Sequence, residues 1–216
     1  MNPSKTYGVI YDLDGTVLDS NQLNEDAWVH TLKPYGITPT REQFLFQRGR
    51  PGEVCSRYML SDHLQQYANE VLRQQLRYVE ERYGSVTVFS GFWETYDKLC
   101  KNDHCVSICT SAPPERIALL LDTHPEFGIL QNNIICRGMY TYGKPSPEPL
   151  LVTAERMNLQ PSQLIYIGDA ESDYLCAVNA HVPFVYFHGK NATPDEKIPT
   201  AIPKIRDHRE LIWLLS

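Results

Sequence analysis

Short apolar runs alternate with helix-length amphipathic stretches over most of the chain, and the order of the two predicts the architecture. Val9, Ile10 and Tyr11 run into turn chemistry at Gly15, which predicts a buried strand ending at Asp14. Apolar runs at 105–109, 133–136, 164–167 and 184–187 predict four further strands. Between the first two strands the pattern is helical throughout. One helix starts at Asn21 and stops near Tyr35 at Pro34 and Gly36, and a capped one begins at Thr40. Two more cover 53–60 and 62 to about 83. Later helices are expected from Gly91 to Leu99, from Pro114, from Pro147, from about Ser172 and from Asp207. The polar, proline-spotted stretch 189–203 reads as a long surface loop.

Strands that alternate with helices imply a parallel sheet covered on both faces, so the expected class is α/β. The all-helical stretch interrupts that alternation, and it is read as a small domain of residues 21–87 inserted into a core of residues 1–20 and 88–216. A content of 42% hydrophobic residues in 216 is enough for a real core. The formal net charge of −6, with acidic groups spread along the chain, lacks the field that draws nucleic acid or anionic membranes, so neither is an expected partner. The opening MNPSKTYGVIYDLDG lacks the basic-then-apolar pattern of a secretory leader. The six cysteines have no metal-ligand spacing and several sit inside apolar runs. A reducing, cytoplasmic location is the expectation.

The polar residues collect at strand ends. Asp12 and Asp14 close the first strand, Thr110 follows the second, Lys144 lies in the loop after the third, and Asp169 follows the strand at 164, with Asp173 four residues on. Parallel strands share one carboxyl edge, so these groups should converge there. Four carboxylates against one lysine call for a hard cation, and oxygen ligands without clustered His or Cys favour Mg²⁺. A carboxylate beside a metal, a lysine and a hydroxyl suits phosphoryl transfer. One carboxylate attacks phosphorus and a second serves as acid and base for the leaving group and water.

These motifs are Asp12-Leu13-Asp14-Gly15-Thr16, Thr110, Lys144 in Gly-Lys-Pro-Ser-Pro-Glu-Pro, and Gly168-Asp169-Ala170-Glu171-Ser172-Asp173. In that order the chain resembles the haloacid dehalogenase superfamily, in the phosphoglycolate phosphatase and β-phosphoglucomutase-like branch. The resemblance implies a Rossmann-like core with a small all-helical cap inserted after strand one. It implies Asp12 as nucleophile and metal ligand, and Asp14 as general acid and base with its main-chain carbonyl on the metal. Thr110 and Lys144 would hold the phosphoryl group, Asp169 would bind the metal directly, and Asp173 would support it from behind. The implied function is a Mg²⁺-dependent phosphatase acting on a small phosphorylated metabolite. A monomer or homodimer is expected. A carboxylate at position 14 separates phosphatases from dehalogenases and phosphonatases of the superfamily. A phosphosugar mutase is the alternative, weakened by Asn24 where mutases carry a histidine, and a receiver-like or scaffold protein is a third reading. Thr16 and Ser111 are further substrate-binding candidates. So are Arg48, Gly49 and Arg50 in the loop where the family places cap specificity, Arg50 being favoured of the two arginines.

Overall fold

The computed structural model describes residues 7–189 and 195–215. Part of the 189–203 loop and the first six residues of the expected core lie outside them. In chain order the structure runs β1 (Gly8–Tyr11), α1 (Asn21–Leu32), α2 (Arg41–Gln47), α3 (Gly52–Met59), α4 (Ala68–Glu80), α5 (Phe92–Lys101), β2 (Cys105–Cys109) and α6 (Pro114–Thr123). It continues through β3 (Ile134–Ile135), α7 (Glu148–Met157), β4 (Leu164–Gly168), α8 (Glu171–Ala180), β5 (Phe184–Phe187), β6 (Lys204–Ile205) and α9 (Glu210–Leu215). The six strands form one sheet in the order β3-β2-β1-β4-β5-β6. Every pairing is parallel, with Val9 opposite Val106 on one side and Ile165 on the other.

Strand pleating sorts the apolar run of each strand onto two faces. Val9, Tyr11, Ile165, Ile167, Val185 and Phe187 face one cluster, which Phe92 and Leu99 of α5 and Leu211 of α9 complete. Ile10, Leu164, Tyr166, Phe184 and Tyr186 face the other, closed by Leu150 of α7 and Cys176 and Ala177 of α8. Burial on both sides is why these strands read as continuous apolar runs.

Residues 21–87 carry α1–α4 and short 3-10 turns, with no strand among them. Trp28, Leu32, Cys55, Met59, Leu60, Ala68 and Val71 form a separate small core for this helical cap. The capped helix expected from Thr40 is present. The Thr40 hydroxyl accepts from the Gln43 N–H, and the Gln43 side chain accepts from the Thr40 N–H in return.

Several expectations need correction. The ladder of β1 ends at Tyr11 rather than Asp14, because past Asp12 the chain turns and Asp14 bridges only to Leu18. The helix expected from Asp62 is a 3-10 segment, Asp62–Tyr67, followed by α4. β6 has only two residues, too short for periodicity to reveal, and it adds an edge strand beside β5. Trp213 falls on the apolar pattern of the closing helix, which predicts a core position, but it is 80% exposed.

One buried histidine ties the far end of the chain to the loop after β1. His208 is stacked on Phe187 at 4.5 Å between ring centroids and lies edge-on to Tyr11 and Phe92. Its Nε2 is 2.9 Å from the Thr16 carbonyl, to which it donates as the Nε2–H tautomer. Burial pushes its pKa down to about 4. The unfolded chain therefore binds a proton that the native state refuses between about pH 6.5 and 4, and native stability falls as pH is lowered through that window. The full loss is about 3 kcal/mol. Urea unfolding of wild type and His208→Gln between pH 7.5 and 4 should show the difference between them shrinking by about that amount toward acid; a difference independent of pH would contradict the assignment.

Candidate active site

The sheet order places β1 between β2 and β4, whose connections leave in opposite directions, and this opens a crevice beyond their carboxyl ends. The Asp12 N–H donates to the Ile167 carbonyl at 2.8 Å, so Asp12 is held one residue past the end of β1. Its carboxylate is 2% exposed. Lys144, also buried, donates to Asp12 Oδ1 at 2.5 Å and to the Cys109 carbonyl at 3.0 Å, and it lies 2.8 Å from Asp173 Oδ1. Asp173 is fixed in turn by the Tyr166 hydroxyl at 2.7 Å and the Ala170 N–H at 3.2 Å. One ammonium thus joins residues delivered by β1, β2, α8 and the 137–146 loop.

Asp169 follows β4 and accepts from the Asn21 amide at 2.9 Å and from the Thr16 hydroxyl at 3.4 Å. Gly15 approaches it so closely, at a φ of +84°, that a β-carbon there would collide with the Asp169 carboxylate. Asp12, Asp169 and Asp173 offer oxygens that all lie within 4.8 Å of one another.

Electrostatics describe a site short of positive charge. Burial pushes the Asp12 carboxyl well above its ordinary range, with Lys144 pulling it back and Asp173 and Asp169 pushing it up. Burial also raises Asp169 to about 6, against Arg48 and with Asp173. Burial alone would lower Lys144, but Asp12 and Asp173 outweigh it and hold the ammonium well above the usual lysine range. Asp12 Oδ2 is buried without a hydrogen-bond partner. An orphaned carboxylate oxygen inside an all-oxygen group of three carboxylates fits a hard cation.

Asp14 points elsewhere: its Oδ1 accepts from the Ser20 hydroxyl at 2.6 Å, and its carboxylate is not in the three-membered group. The pair expected on one strand face diverges because the ladder has already ended. Thr110 is buried, and its hydroxyl accepts from the Ala112 N–H at 3.1 Å, which leaves its own proton free to donate. Asp12, Asp14 and Thr110 line a cavity of about 100 Å³ beneath the cap, together with Asn24, Trp28, Arg48, Gly49, Arg50, Gln75, Ser111 and Arg116. Thr16 is fully buried behind it, its hydroxyl on Asp169.

The cap loop is already tied down. Ser111 donates to the Gly49 carbonyl at 2.7 Å and Ser172 to the Arg48 carbonyl at 2.8 Å. Gly49, at a φ of +67°, lies so close to Ser172 that a side chain would clash. Arg48 pairs with Glu25 at 3.0 Å, and Arg50 with Glu171 at 3.3 Å, its guanidinium also lying over Phe46. The two arginines favoured in the sequence are therefore committed to carboxylates of the protein. Sequence reading takes Trp28 for a packing residue, which it also is, and passes over Gln75 and Arg116. The first two sit on amphipathic helices whose spacing signals only packing, and the third is one of several charges on α6.

Removing the ammonium while leaving its partners should be costly. Lys144→Ala leaves Asp12 and Asp173 facing each other in the interior and is expected to lower unfolding free energy by about 3–5 kcal/mol in metal-free buffer. Urea denaturation with EDTA measures this, and a loss below about 1 kcal/mol would mean the ion pairs do not hold the site together.

Comparison with known proteins follows the same lines. The haloacid dehalogenase-like hydrolase model matches residues 9–187. The chain is 27% identical over 213 residues to validoxylamine A 7'-phosphate phosphatase of Streptomyces hygroscopicus subsp. limoneus, covering 94% of this chain and 95% of that one. It is 31% identical over 194 residues to a phosphoglycolate phosphatase of Xanthomonas campestris pv. campestris, covering 82% and 80%. Its fold matches the crystal structure of β-phosphoglucomutase from Clostridium difficile with a TM-score of 0.80 at 17% identity, over 97% of this chain and 96% of that one. With the parallel sheet, the cap and the carboxylate-lysine cluster in place, the chain belongs to the haloacid dehalogenase-like hydrolases, a family of enzymes.

Proposed function

We propose that this protein is a Mg²⁺-dependent phosphatase that hydrolyses a small phosphomonoester through a phospho-aspartate on Asp12. The observation that carries the reading is the buried Asp12 carboxylate, held by Lys144 next to Asp169 and Asp173, at the wall of a cavity shared with Thr110 and Asp14. Relatives named as phosphatases of phosphorylated small molecules support it. Residues 21–87 are taken as the cap and the remainder as the catalytic core.

Asp12 and Asp169 would hold the ion, with the Asp14 main-chain carbonyl, and Asp173 would support it from behind. When bound, Mg²⁺ neutralises charge on Asp12 and on the phosphoryl oxygens, so that two anions can meet. An Asp12 oxygen forms a bond to phosphorus while the bond to the ester oxygen breaks. Asp14 gives its proton to the departing oxygen, and then takes one from the water that attacks phosphorus, releasing phosphate and restoring Asp12. The Thr110 hydroxyl and the Lys144 ammonium donate to the phosphoryl oxygens. The seated cap excludes bulk water during the first step.

A mutase on this scaffold would need a second proton carrier at position 24. Here that residue is an asparagine whose amide donates to the Ser20 carbonyl at 3.0 Å, and an amide does not titrate. Hydrolysis is therefore preferred.

Phosphate release from a panel of small phosphomonoesters, with Mg²⁺ and with EDTA, is the test. Release is expected to require the metal, and Asp12→Asn is expected to lose about a thousandfold or more in kcat while keeping its circular dichroism. Wild-type turnover by the Asp12→Asn protein would remove Asp12 from the role of nucleophile.

A further inference from the structure

We propose that Arg116, on the first turn of α6, is a specificity-determining residue that binds a second anionic group on the substrate, a carboxylate or a phosphoryl group lying beyond the scissile ester. This deepens the phosphatase reading and rests on it. Arg116 lines the same small cavity as Asp12, Asp14 and Thr110, yet it is only 4% exposed. A guanidinium does not shed its charge at any ordinary pH. Burying one is costly unless an anion or several acceptors meet it.

Among the described residues no such group meets it. Its Nε is buried without a hydrogen-bond partner, and among the described residues no carboxylate is paired with it. Its contact is the face of Tyr83, 5.1 Å from the guanidinium carbon to the ring centre. That cation–π contact offsets part of the cost of burial and leaves the N–H donors unanswered. The other two arginines of the cavity each have a carboxylate: Arg48, whose Nε is likewise unpaired, meets Glu25, and Arg50 meets Glu171. Arg116 is thus a cation of the cavity that no carboxylate among the described residues pairs with.

Arg116 shares the cavity with Asp14, the residue that would protonate the departing oxygen, and the Tyr83 ring it covers lies in the field of Asp14 as well. An anionic end on the departing group would therefore lie within that same small space. The cavity is also lined by Asn24, Gln75, Trp28 and Leu76. At about 100 Å³ the cavity is far below the several hundred Å³ of pockets that take larger ligands. The matching substrate is compact, with two anionic ends. A planar guanidinium binds a carboxylate or phosphoryl group through paired N–H donors and discriminates against a neutral end of the same size.

The experiment compares substrates that differ only in that end. Phosphate release is measured for 2-phosphoglycolate, pyrophosphate and ethyl phosphate with wild type, Arg116→Gln and Arg116→Lys. Arg116→Gln should lose about 10- to 100-fold in kcat/KM, mainly through KM, on 2-phosphoglycolate or pyrophosphate, and less than about threefold on ethyl phosphate. Whichever of the two doubly anionic compounds shows the loss identifies the second group, and Arg116→Lys should recover part of it. Equal losses on all three compounds would make Arg116 a balance for the site's own carboxylates and would overturn the inference, as would no loss on any.

Calorimetric binding of phosphonoacetate, methylenediphosphonate and propylphosphonate separates this from the underlying reading, because none of these ligands need be turned over. If wild type released phosphate from nothing, the phosphatase reading would fail. Tighter binding of phosphonoacetate or methylenediphosphonate, lost in Arg116→Gln, would still support the anion site. Should the variants not fold, wild type alone decides: affinity for propylphosphonate equal to that for both phosphonoacetate and methylenediphosphonate overturns the inference.

Discussion

The structure of the site depends on one buried ammonium. Lys144 lies between Asp12 and Asp173 and also caps the Cys109 carbonyl, so a single side chain fastens the ends of β1 and β2 to α8. Two carboxylates this deep repel each other and resist ionisation, and only a cation between them allows both to remain at the sheet edge. Lysine suits the place because its ammonium is compact and offers three donors in separate directions. All three are used, two on carboxylates and one on a main-chain oxygen. The arrangement is still under-compensated, since Asp169 joins the group and Asp12 keeps an oxygen with no partner. That residual deficit of positive charge is what a hard cation would fill.

The cap meets this centre through main-chain contacts as much as through charge. Ser111 and Ser172, each beside a residue of the carboxylate-lysine site, donate to the carbonyls of Gly49 and Arg48. Hydroxyl-to-carbonyl bonds of this kind are worth about 1 kcal/mol each in net terms, enough to seat a loop and weak enough to release it. The ion pair of Arg50 with Glu171 adds a third cross-link between cap and core. Cap closure and the integrity of the catalytic centre are thus coupled through α8, which supplies Glu171, Ser172 and Asp173 in succession.

Much of this was legible in the chain. A short apolar run that ends in a polar residue and a turn says where a parallel strand stops. All strands of such a sheet share an edge, so Asp12, Thr110, Lys144 and Asp169 could be gathered before any coordinates were known. The helical insertion was equally plain, because four amphipathic patterns in a row interrupt the strand-helix alternation. Boundaries fared less well. Asp14 reads as part of a strand whose ladder stops at Tyr11, and β6 escapes notice because two residues carry no period.

What the sequence by itself determined is the class of fold and the inventory of reactive groups at the sheet edge, for these follow from local periodicity and from the common direction of parallel strands. The tertiary structure alone decided how charge is shared among them. Arg48, Arg50 and Arg116 are alike as letters in a sequence, and Arg50 reads as the best candidate of the cap loop. In the folded chain Glu25 and Glu171 neutralise the first two, while Arg116 is buried beside a tyrosine ring with no carboxylate to meet it. Pairing of charges is set by residues more than twenty positions apart in one case and more than a hundred in another. Short-range pattern does not carry that information, because Glu25 meets Arg48 only when the cap folds, and Glu171 meets Arg50 only when the cap packs onto the core.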